Sequence, residues 1–184
     1  MMKPDARLCR GFTMIELVIA VAIAAILLTL AAPSFRGFLG KKRVEGVATE
    51  LSTDLQYARS EAIARNATVR VTFGAGCYVI TQQPDGSSPS STCSQTGSPT
   101  LGTGAVTIKQ LQLQSGSTAS FSGAPGWVEF DPVRGMAITD TANAGASIDV
   151  VSSLGGWQMR NTVTLLGKVN LCSPNATVSG FPSC

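Results

Sequence analysis

Between Leu17 and Ala32 the chain reads LVIAVAIAAILLTLAA, with no charge and with Thr29 as its only polar side chain. Counted from Phe12 the segment reaches ~21 residues, close to the roughly 20 that a helix needs to cross a bilayer. No other feature restricts the fold as strongly. A run like this near an N-terminus is either a secretory signal that is removed or an anchor that is kept. Two observations favour the anchor. The run is long for a signal peptide, and no small-x-small site with a polar start behind it follows cleanly. The other reading, a secreted soluble domain, predicts a mature protein without residues 12–32.

The 184 residues suit one domain plus an extra segment. The net charge of +3 is modest, and much of it lies ahead of the apolar run, where Lys3, Arg7 and Arg10 face only Asp5. The rest of the chain is close to neutral, so composition carries no signal for a polyanionic partner. Arg36, Lys41, Lys42 and Arg43 follow the run, so basic residues on both flanks leave orientation undecided. The cysteines place the C-terminal part outside. Of the five, Cys9 precedes the run and Cys77, Cys93, Cys172 and Cys184 follow it. An even set beyond an anchor suits an oxidising compartment. Four cysteines allow three pairings. Cys77–Cys93 with Cys172–Cys184 is preferred, because each pair closes a short Ser/Pro/Gly-rich loop. Buried free thiols are the alternative.

Residues 35–66 read as helix. Val44, Val47, Leu51, Leu55, Ala58 and Ala62 form one apolar stripe, with Lys42, Glu45, Glu50, Asp54, Arg59 and Glu61 largely between them. Joined to the apolar run, this predicts a helix of about 50 residues, ~75 Å at the α-helical rise. Pro33 inside it invites a kink. Beyond it the chain reads as β-structure. Residues 68–73 alternate, with Val69, Val71 and Phe73 on one face, and 77–81 form the return arm of a hairpin. Residues 83–104 read as a long loop held by Cys93. Further strands are predicted at 105–114, 118–121, 127–131, 136–138, 147–151, 161–166 and 168–172, with Asp131 to Gly135 as a turn.

The sharpest motif lies just ahead of the apolar run: Gly11-Phe-Thr-Met-Ile-Glu16. Here the chain resembles the type IV prepilins, the class of type IV pilins and type II secretion pseudopilins. The resemblance implies that a prepilin peptidase cuts between Gly11 and Phe12 and that Phe12 is then N-methylated. Glu16 becomes the fifth residue of the mature chain, where the family carries a Glu. A carboxylate at the edge of an apolar helix is costly and usually has a partner. The free amine of Phe12 on a neighbouring subunit is the preferred one; an interfacial carboxylate reaching water is the alternative.

The likeness extends further. The run from Leu51 to Asn66, with ARSEAIAR inside it, resembles the helix signature of the GspH/FimT group, and Trp127-Val-Glu-Phe-Asp-Pro-Val-Arg-Gly135 resembles that group's later turn. The resemblance implies an α+β, pilin-like fold: a cleaved leader (1–11), a transmembrane and filament-core helix (12–34), an amphipathic helix (35–66) and a β-rich head (67–184). It implies a minor subunit of a type IV pilus or a type II secretion pseudopilus, at or near the filament tip. That subunit would serve filament initiation, with protein secretion, or adhesion, motility and DNA uptake, as the filament's task. Its partners are other pilins or pseudopilins, the prepilin peptidase and the inner membrane. It is single-pass, with its head in the periplasm, or extracellular once in a pilus. The loop and the cysteines favour a pilus slightly.

Some pilus members of the group bind DNA through a C-terminal Gly-Arg-x-Arg motif. The matching position here is Gly167-Lys168-Val169-Asn170. Lys168 keeps one charge, but Asn170 drops the other, and Lys lacks the bidentate fork of Arg. A DNA-binding receptor is therefore the alternative function, with Lys168, Arg160 and Arg134 as candidate contacts. Without histidine, a Ser-His-Asp triad, a Cys-His pair and most zinc sites are excluded. No nucleotide loop, nucleophile elbow or EF-hand is present. No enzyme activity, metal or cofactor is expected.

Overall fold

The computed structural model describes residues 12–74, 76–85, 87–114, 116–141, 145–174 and 178–184. Helix α1 runs from Met14 to Arg65. The chain falls into two compact units, divided after Arg36.

The first unit is helical. Thr13 caps it: its Oγ1 accepts the N–H of Glu16 at 3.3 Å, and its carbonyl accepts the N–H of Leu17 at 3.1 Å. Thr13-x-x-Glu16 is the pattern of a capping box, and an acidic residue in the first turn suits the helix dipole. From Ile15 to Leu30 every large aliphatic side chain is at least 53% exposed. A helix that is apolar all round needs lipid or other helices about it. Among the described residues no single helix is long and apolar enough to cross a membrane, but Met14–Leu30 and Ser34–Arg65 pass as a bent pair by length and composition.

The second unit is a head built on the rest of α1. The helix presents the stripe Val44, Val47, Ala48, Leu51, Leu55, Ala58 and Ala62, all buried. It ends at Asn66, whose φ of 49° is left-handed. Asn66 N–H donates to Ile63 O and Ala67 N–H to Ala62 O, the paired bonds of a Schellman close.

The strands are β1 Thr68–Gly74, β2 Cys77–Gln83, β3 Ser91–Thr92, β4 Thr100–Leu101, β5 Val106–Gln112, β6 Ala119–Ser122, β7 Trp127–Phe130, β8 Ala137–Thr139, β9 Ala146–Ser152, β10 Gln158–Val163 and β11 Val169–Cys172. They form an antiparallel sheet ordered β5-β2-β1-β7-β8, a second ordered β11-β10-β9-β6, and the small ladder β3-β4. Val69, Val71, Tyr78, Ile80, Val128 and Phe130 of the first sheet and Ile148, Val150, Met159 and Val163 of the second share one core with the helix stripe. The fold is α+β, an N-terminal helix with an antiparallel β-rich head, as the sequence implies.

Two elements differ from the sequence reading. The strand expected at 161–166 lies at Gln158–Val163, and Leu165 and Leu166 belong to the turn that follows. Their apolar character suggested a strand; in the structure they are at the surface. The long loop is also more than a connector. Cys77 is joined to Cys93, and Ser91 Oγ meets Thr72 Oγ1 at 2.8 Å and Thr81 Oγ1 at 3.2 Å. The loop thus straps the outer face of the first sheet, which is why Thr72, Thr81 and Glu129 are buried although they point away from the helix. Cys172 is joined to Cys184, which fastens the C-terminus to β11.

Candidate assembly and recognition sites

The residues singled out by the sequence fall in three places. Gly11 lies outside the described residues. Phe12 is 79% exposed, and Glu16 is exposed in the first turn of α1. The structure thus presents both partners of the expected pairing at one end of a bare apolar helix.

At the head, two of the three candidate cations lie on turns that meet. The turn after β7 is closed by Asp131, whose Oδ1 accepts the N–H groups of Val133 and Arg134 at 2.9 and 2.7 Å. It ends at Gly135, and the β10–β11 turn ends at Gly167, both with positive φ. These glycines touch: a Cβ at Gly167 would stand 2.1 Å from the Gly135 carbonyl oxygen. Arg59 of α1 locks the junction, its Nε donating to Gly135 O at 3.0 Å. Arg134 and Lys168 therefore flank one seam, with Arg59 between their turns.

Arg160 is not part of this cluster. It pairs across the sheet with Asp149, Nε to Oδ1 at 2.6 Å and a terminal nitrogen to Oδ2 at 2.8 Å. That fork holds the guanidinium protonated even more firmly than usual. The bidentate partner leaves Arg160 a poor phosphate ligand. Asp131, Asp140 and Asp149 form no common site: Asp131 closes its own turn, Asp140 accepts Gly126 N–H, and Asp149 pairs with Arg160 across the sheet. Among the described residues no group of three or more Cys, Asp or Glu is placed to hold a metal.

Two interior contacts tie the helix to the sheets. Buried Asp54 accepts the Tyr78 hydroxyl at 2.6 Å and Lys109 Nζ at 2.8 Å, and Glu50 stands 3.2 Å from the same ammonium. Burial, then the hydrogen bond to Asp54, keeps the Tyr78 hydroxyl protonated well above its ordinary range. The hydrogen bond to Asp54 likewise raises Lys109. Asn161, fully buried on β10, donates to Ala48 O at 3.1 Å. The sequence reading placed Asp54 with the polar face. Its position, three residues after Leu51 and four before Ala58, puts it on the stripe, which was the available signal. Asn161 carried none.

Residues 6–32 match the prokaryotic N-terminal methylation motif. With the bare helix and the β-head, this defines a protein of the type IV pilin class. Residues 47–167 match the family described as type II transport protein GspH, and the chain belongs to that family, the GspH/FimT type of minor pilins and pseudopilins. Its members are structural subunits of a pilus or pseudopilus that assemble with other subunits of the class. Among solved structures, the type IV minor pilin FimU of Pseudomonas aeruginosa matches at 15% identity and a TM-score of 0.50, over 77% of this chain and 99% of that one. A second crystal form of FimU gives 0.48. At that identity the likeness speaks for the fold alone. No curated protein sequence matches the chain.

Proposed function

We propose that the chain is made as a prepilin, cut between Gly11 and Phe12 by a prepilin peptidase and methylated at Phe12. Residues 12–34 then hold it in the inner membrane as a single-pass anchor, with the head in the periplasm. From there it enters a type IV pilus or a type II secretion pseudopilus as a minor subunit at or near the tip, where it supports initiation. Glu16 pairs with the amine of Phe12 on a neighbouring subunit as the helices pack. One observation carries this reading: a methylation-type leader abuts a helix whose aliphatic side chains are exposed all round, ahead of a head of the GspH family. A helix of that kind is stable in lipid or among copies of itself.

The alternative, a DNA receptor, draws on the seam that brings Arg134 and Lys168 together. We do not prefer it, because Arg160 is held by Asp149 and the remaining cations are few.

Intact mass and N-terminal sequencing of membrane-extracted protein, with and without the prepilin peptidase, test the proposal. A methylated Phe12 start that depends on the peptidase is expected. A start beyond Ala32 would replace the filament reading with a secreted domain.

A further inference from the structure

The turns that meet at Gly135 and Gly167 carry an exposed aliphatic surface. Val133 is 75% and Leu166 72% exposed, with Leu165, Ile138 and Ile63 between 40% and 48%. A groove of about 510 Å³ runs between Val133, Ile138 and Leu165, with Arg134 and Asp131 on its wall. A second groove across the seam is lined by Arg59, Ile63 and Lys168. Exposed aliphatic groups gathered beside a groove on a small domain point to a contact site.

Around it the carboxylates are engaged within the chain, and the cations of the two turns are not. Asp131 is turned back onto its own backbone, and Glu61 is paired with Arg65. Arg134 and Lys168 are exposed and, among the described residues, make no side-chain ion pair. The occupant must therefore bring both carboxylates and aliphatic groups.

We propose that this end of the head docks an acidic, aliphatic-rich face of a different protein subunit. A nucleic acid fits less well, because neither groove is lined by an aromatic ring on which a base could stack. A second copy of this chain fits less well too. Among the described residues, every side-chain carboxylate of the head is already held by a lysine, an arginine or a backbone N–H. The partner is thus a heterologous subunit that presents free Asp or Glu beside aliphatic residues. The inference uses the head alone and stands or falls independently of the N-terminal processing.

The test is photo-crosslinking of the full chain in the cells that make it. A benzophenone amino acid replaces Leu166, and Ser120, exposed on β6, serves as the control position. The expected result is one crosslinked protein from position 166, its attached peptide carrying Asp or Glu among aliphatic residues. The yield should fall at least fivefold in Arg134→Glu/Lys168→Glu and persist in Lys168→Arg. A crosslink to the chain itself or to nucleic acid, a partner peptide without carboxylates, or a yield no higher than at Ser120 would each overturn the proposal.

Discussion

Asp54 shows how one residue can hold a helix to a sheet. It occupies a core position of α1 and is 4% exposed, which a lone carboxylate could not tolerate. Tyr78 from β2 and Lys109 from β5 supply its hydrogen bonds, so the helix is pinned to two strands at one point. Tyr78→Phe leaves the charge with one partner fewer and is expected to cost about 2 kcal/mol. Urea unfolding with an unchanged slope checks it. The pH dependence follows from the directions of the shifts. Tyr78 and Lys109 both bind their protons more tightly when folded, so their contribution is complete below the unfolded values near ~10 and is lost as pH rises beyond them. The urea midpoint should fall above about pH 10, and fall less in a Tyr78→Phe/Lys109→Met variant. An equal fall in both proteins would show that other groups govern alkaline unfolding.

At the scale of elements, the strap between β2 and β5 explains a first sheet buried on both faces. The helix covers one side, and the loop held by Cys77–Cys93 covers the other. Under it Arg70 pairs with Glu129 at 2.7 Å and stacks on Trp127 at 4.2 Å, while Ser88 Oγ donates to Glu129 at 3.0 Å. Replacing both cysteines by serine should cost ~3 kcal/mol, by the loop-closure entropy the crosslink removes. It should also open residues 84–104 to proteolysis while the rest of the head stays resistant. Cleavage there at the same rate in the unaltered protein would mean that the side-chain contacts, and not the crosslink, hold the strap. Composition and Cys93 announced a tethered loop. They did not announce that it lies flat on a sheet, because the Thr and Ser groups it contacts are far apart in the chain.

For the whole molecule, the two units divide the work. The bare apolar helix suits lipid and filament packing, and the head carries the disulfides, the strap and the seam between the Gly135 and Gly167 turns. Glu16→Ala removes the carboxylate and leaves the Thr13 cap in place. The variant should be processed and membrane-held at the normal level, yet be lost from sheared filaments, as immunoblots of both fractions would show. Normal incorporation would end the Glu16–Phe12 pairing.

What is local was legible in the order of residues. The leader motif, the apolar run, the helix stripe and the β1–β2 hairpin each lie within a short stretch, where period, caps and turn residues act directly. Tertiary structure decided what depends on distant segments meeting. It placed Asp54 beneath Tyr78, turned Arg160 onto Asp149, and set Gly135 against Gly167 so that the turns carrying Arg134, Lys168 and the exposed leucines adjoin. The reason is physical. A side chain's local pattern records its backbone conformation, whereas burial and free charge depend on partners that only the folded chain brings within a few ångströms.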